Sequence, residues 1–98
     1  MLDLKKLKKE REEAYDVWFE RWWQKANIEK EIDIANSKGY TAYTIFIRNY
    51  DDYTQDRMSD KHFLKNLKKK LPGFGVSFDW QATIYSGVKC LHGVQIWW

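Results

Sequence analysis

The chain has 98 residues, 44% hydrophobic, 17% aromatic and 32% charged, with a formal net charge of +3. That length holds one domain, residues 1–98, around a single core. Its apolar runs are a few residues long, far short of the roughly 20 that span a bilayer, so no membrane partner is expected.

The opening Met1-Leu2-Asp3-Leu4-Lys5-Lys6 is basic without an apolar stretch behind it, and does not read as a signal peptide. Cys90 is the one cysteine, so no internal disulfide forms, and with two histidines it is too few for a four-ligand zinc site. No metal and no cofactor are expected, and a lone thiol suits a reducing cytoplasm. Cys90 itself reads as a small buried side chain in a strand.

Breakers at Gly39, Pro72-Gly73, Gly75, Ser86-Gly87 and Gly93 divide the chain into α-β-α-β-β. The first helix is expected over residues 3–38, capped by Asp3 and ended by Gly39. Leu4, Leu7, Ala14, Trp18, Trp22, Ile28, Ile32 and Ala35 share one broad face at helical spacing. Phe19, Trp23 and Ile34 fall outside that stripe. Two readings follow for the four large rings of residues 18–23. All are core, since a small domain needs the area, or Trp18 and Trp22 pack on a sheet while Phe19 and Trp23 face outward as anchors for a partner. Anchors of that kind also suit a symmetric homodimer.

A strand is expected over residues 41–48, where Tyr43, Ile45 and Ile47 alternate with Thr44, Phe46 and Arg48. The second helix is expected over residues 59–71, with Asp52 as an earlier alternative start. Phe63, Leu64, Leu67 and Leu71 form its apolar stripe, and Lys61, Lys65, Lys68 and Lys69 gather opposite. His62 is expected in solvent on that polar side. Asp51, Asp52, Asp56 and Asp60 read as capping and turn residues, not as a metal site.

Residues 74–98 read as a β-hairpin. Phe74, Val76, Phe78, Trp80, Ala82 and Ile84 alternate with polar or small residues, and Val88, Cys90, His92, Val94, Ile96 and Trp98 continue the apolar face. A three-residue loop, Tyr85-Ser86-Gly87, pairs Val76 with Ile96, Phe78 with Val94, Trp80 with His92, Ala82 with Cys90 and Ile84 with Val88. His92 then points inward, while Phe46, Leu91 and Trp97 lie on the sheet's far face as a second candidate contact patch. The fold class is α+β, in two layers: a long amino-terminal helix and a second helix on one face of a three-stranded sheet. The last strand is expected between the other two, antiparallel to both.

Catalytic patterns are absent from the sequence. It has no nucleotide-binding glycine loop, nucleophile elbow or paired-histidine metal motif. Cys90 and His92, two apart on a strand, lack a predicted third group. No enzyme is expected. Lys5, Lys6, Lys8 and Lys9 crowd the first turns of helix 1, and with Lys61, Lys65, Lys68 and Lys69 they offer basic surfaces to nucleic acid or an acidic partner, or simply to solvent.

The closing sequence of helix, Pro72-Gly73-Phe74, strand, and a last strand ending in Ile96-Trp97-Trp98, with the small size and the Lys- and aromatic-rich composition, resembles the small accessory proteins of phages and prophages of Gram-positive bacteria. The resemblance covers most of the chain and implies a cytoplasmic role in the bacterial host. It implies binding to a host protein or protein–nucleic acid complex, as anti-CRISPR inhibitors do to a CRISPR or other defence nuclease. The alternative is a nucleic-acid-binding accessory module using the lysine-rich helix faces.

Overall fold

The computed structural model describes residues 2–82 and 87–98. Helix α1 runs Leu4–Ala26, and the Asp3 carboxylate caps it by accepting the Lys5 backbone N–H at 3.0 Å. It stops earlier than the sequence suggested. Asn27 takes the left-handed conformation, φ 51°, and its N–H donates to the Trp23 carbonyl. Asparagine is among the few side chains that tolerate that region. Helix α2, Ile28–Ser37, then restarts, so the expected helix over residues 3–38 is two helices. The break lets Ile28 and Ile32 turn onto the core, where each is buried, with α2 against the first strand. Gly39, φ 89°, ends α2 as expected.

Strand β1, Ala42–Phe46, leads into a 3₁₀ turn over Ile47–Asn49. The expected helix over residues 59–71 is two: one starts at the alternative Asp52, and the other at Lys61 rather than Ser59, which ends the first. Asp51 caps α3, Asp52–Met58, and Asp60 caps α4, Lys61–Lys70. These two carboxylates accept the Thr54 and His62 backbone N–H groups, each at 2.9 Å. Phe63 and Leu67 of α4 are fully buried, and Leu71 nearly so.

Strands β2, Gly75–Ala82, and β3, Lys89–Trp97, complete the sheet in the order β1-β3-β2, with β3 antiparallel to both neighbours. The pairs Val76–Ile96 and Phe78–Val94 are those expected. Beyond Asp79 the register slips by one: Trp80 faces Leu91 and Ala82 faces Lys89, not His92 and Cys90. The slip is a β-bulge that leaves His92 as the extra residue of β3. The expected Tyr85-Ser86-Gly87 loop and the Ile84–Val88 pair fall partly on residues 83–86, outside the described residues.

The fold is α+β, with a long amino-terminal helix, three further helices and an antiparallel three-stranded sheet among the described residues. Ile45, Val76, Val94 and Ile96 all point to one side of the sheet and join residues from all four helices in one core. Phe63 lies at its centre, with the rings of Trp22, Phe19 and Trp18 at 4.9, 5.6 and 6.2 Å. The opposite sheet face carries Phe46 and Trp97, both exposed. Trp97 lies over Gly75, filling the place a Cβ would take there.

Candidate functional site

Helix α1 reaches past the body of the molecule. Residues 2–14 are all exposed, and Tyr15 is the first to be partly buried. Where this overhang crosses the start of α4 it leaves a notch of about 730 Å³, lined by Arg11, Glu12, Tyr15, Asp16, Asp60, Lys61, His62, Lys65 and Lys69.

The floor of the notch is a polar cluster built from both helices. The Asp16 carboxylate lies 2.9 Å from His62 Nε2 and accepts a hydrogen bond from the Asn66 side-chain amide at 3.0 Å. His62 and Asn66, four apart on α4, present adjacent side chains to the one acceptor. Asn66 is the one buried polar residue among those described, and Asp16 satisfies it, as buried amides require. The Asn66 hydrogen bond holds the Asp16 carboxyl below its ordinary range, and the charge of His62 adds to the effect. Tyr15 stacks on His62 with ring centroids 4.2 Å apart and planes 10° apart, and its hydroxyl donates to the Arg57 carbonyl at 2.6 Å. Burial pushes the Tyr15 phenol up.

Around this floor stand cations. Lys61, Lys65 and Lys69 are exposed on α4, and Arg11 is exposed on α1. Lys5 and Lys9 precede Glu12 and Asp16 at helical spacing, so the stripe of α1 above the notch carries them outward. Lys8 lies on the same side, seven residues before Tyr15. Lys6 points elsewhere and pairs with Glu10 at 3.9 Å. Lys68 is exposed, and Lys70 pairs with Glu20 of α1 at 2.7 Å.

The apolar contact residues fare differently. Phe19 and Trp23 are buried, at 2% and 9% exposure, and are not outward anchors for a partner or a second copy. The reason is phase. A stripe averaged over residues 3–38 mixes two helices of different direction. Within α1 alone, Tyr15, Phe19, Trp22, Trp23 and Ala26 recur at i, i+4, i+7, i+8 and i+11, and this is the inward face. Trp18 sits at its edge, half-buried. The bulge in β3 carries out two further corrections. Leu91 turns inward against the core and is not part of the far-face patch. His92 turns outward, its ring edge-on to Phe46 at 5.3 Å. Phe46 and Trp97 keep the exposed positions expected of them. Cys90 is exposed, not buried, and His62 is half-buried and paired, not free in solvent.

Asp16, Asn66, Tyr15 and Arg11 were not marked by the sequence. No local pattern links Asp16 to a helix so far along the chain. The i, i+4 spacing of His62 and Asn66 is the one signal that sequence could have offered. Chemically, the notch sets the positive charges of Arg11, Lys61, Lys65 and Lys69 beside the carboxylates of Glu12, Asp16 and Asp60. Among the described residues its lining holds no serine, threonine or cysteine, and the Tyr15 hydroxyl donates to the Arg57 carbonyl. Comparison with known proteins found no matching family model, no matching curated protein and no matching solved structure.

Proposed function

We propose that this chain is a binding protein without catalytic activity, one that occupies the surface of a host macromolecular machine of the defence-nuclease kind. The observation that carries the reading is the convergence of Lys61, Lys65 and Lys69 of α4 with Arg11 of α1 on one notch. Of the rival apolar anchors, Phe19, Trp23 and Leu91 pack on the core, and Phe46 and Trp97 stay exposed on the far face of the sheet. Such a cationic face complements an acidic protein surface, or stands where the machine's own nucleic acid would lie. The small size and aromatic-rich composition shared with phage accessory proteins support the same reading.

The test is capture on the immobilised protein from a Gram-positive bacterial lysate, with and without nuclease treatment. A single protein complex should be retained after nuclease treatment and should be lost with the double variant Lys65→Glu, Lys69→Glu. Retention by that variant at full strength would remove the notch from the argument.

A second reading is direct nucleic-acid binding. Lys65 and Lys68 favour it, since neither has an ion-pair partner among the described residues. Recovery of nucleic acid alone, indifferent to sequence and steeply weakened by salt, would select it.

A further inference from the structure

The overhanging arm of α1 has a side that no other element covers. Leu4 and Leu7 are 67% and 43% exposed, and Lys8, one turn beyond Leu4, stands exposed beside them. Lys8 is in no ion pair among the described residues. A few turns of helix without packing fray in water, so a contact along this side stabilises the arm. Its lysines also sit at the positive end of the helix dipole, an arrangement that an acidic surface facing them relieves.

A groove of about 460 Å³ between α2 and the turn from α4 to β2 has the complementary character. Ile32 and Leu71 are buried in its floor, while Phe74 and Trp98 are half-buried walls with ring centroids 6.0 Å apart. The Trp98 indole N–H donates to the Asn36 side-chain carbonyl at 3.1 Å, which fixes that ring. Glu29 and Asp33, one turn apart on α2, are exposed in the lining, and neither is in an ion pair among the described residues. The cation of the lining, Lys70, is paired with Glu20 at 2.7 Å.

We propose that this groove receives the α1 arm of a second copy of this chain, with Leu4 and Leu7 on the apolar floor and Lys8 beside Glu29 and Asp33. Helices dock in grooves through anchors at i, i+3 and i+4, the spacing of Leu4, Leu7 and Lys8. Helix α1 is unbroken from Leu4 to Ala26, so the arm does not fold back onto its own groove and another copy supplies it. Opposite charges on arm and groove select this contact, whereas two arms side by side set lysines against lysines. The inference does not rest on the notch.

Sedimentation equilibrium of the full chain over a range of concentrations reads the contact. The average mass is expected to rise above that of the monomer with concentration. Reciprocal exchange of arms levels off at a dimer, and one-way docking continues into longer assemblies. Leu4→Gln with Leu7→Gln, at exposed positions and with helix propensity kept, is expected to weaken association about tenfold or more. Lys8→Glu alone, and Glu29→Lys with Asp33→Lys, are each expected to weaken it about tenfold, since each sets like charges together. A chain carrying all three charge reversals is expected to associate as the original does. A monomer at every concentration overturns the proposal. So does an association that the leucine pair or the separate charge reversals leave unchanged, or one that the combined reversal fails to restore.

Discussion

Asp16 binds two side chains of α4 from a largely exposed position, 58% by side-chain area. Its carboxyl is held below the ordinary value by Asn66 first and then by His62. A carboxyl whose pKa is lower folded than unfolded stabilises the fold above its unfolded pKa, about 3.9 for Asp, and that contribution is lost as pH falls through the folded value. Asp51, lowered through its hydrogen bond to Thr54, acts in the same direction. Urea unfolding of the chain and of Asp16→Asn at several pH values should therefore converge as the pH falls below about 4, with the variant the less pH-dependent of the two. Parallel curves would show that Asp16 has no linkage to folding. The residue scale also separates core from surface. Phe19→Ala should destabilise by about 3–5 kcal/mol, the range for deleting a buried ring. Phe46→Ala, on the open sheet face at 38% exposure, should fall well below that in the same unfolding measurement.

Among the elements, the joint between α1 and α2 decides which side chains reach the core. Its single pivot is Asn27, at φ 51°. In a position of this kind a Cβ without a helpful polar group is disfavoured by about 1–2 kcal/mol. Asn27→Ala should thus lower the thermal midpoint, while Asn27→Gly should leave it unchanged or raise it. If Asn27→Ala were neutral, α1 and α2 would be able to fuse into one helix without penalty. The β3 bulge is the other element-level decision. By adding His92 to one strand it places Trp80 opposite Leu91, so the β3 residues before the bulge face the other way from the pattern expected of strict alternation while those of β2 keep theirs.

For the whole molecule, charge is divided unevenly around α1. The notch mixes Arg11, Lys61, Lys65 and Lys69 with Glu12, Asp16 and Asp60, whereas the cleft between α1 and Tyr50 is lined by Arg21 and Lys25 with no carboxylate among the described residues. This predicts a difference in salt behaviour. If the notch lysines contact phosphates, each charge reversal should reduce the slope of log affinity against log salt by about 1, for all sequences alike. Fluorescence polarisation of Lys65→Glu and Lys69→Glu with a labelled oligonucleotide measures that slope. A slope left unchanged would place any nucleic-acid contact away from α4.

Much of the element order was determined locally. Phe63, Leu64, Leu67 and Leu71 mark one helix face, alternation marks three strands, and Asp3, Asp51 and Asp60 occupy the cap positions their short carboxylates favour. The inner register of the hairpin, Val76 with Ile96 and Phe78 with Val94, also follows from matching apolar faces. Three outcomes depended on tertiary structure. The helix break at Asn27 has no glycine or proline to announce it, and arises because Ile28 and Ile32 gain burial by turning toward β1. The bulge at His92 inserts one residue without changing the alternation written in the chain, so only cross-strand packing reveals it. The meeting of Asp16 with His62 and Asn66, and of Trp22 with Tyr50, joins residues whose separation along the chain carries no periodic signal. Local periodicity specifies which face of an element is apolar, but the phase between two elements is set by how their side chains interlock, and that exists only in the folded state.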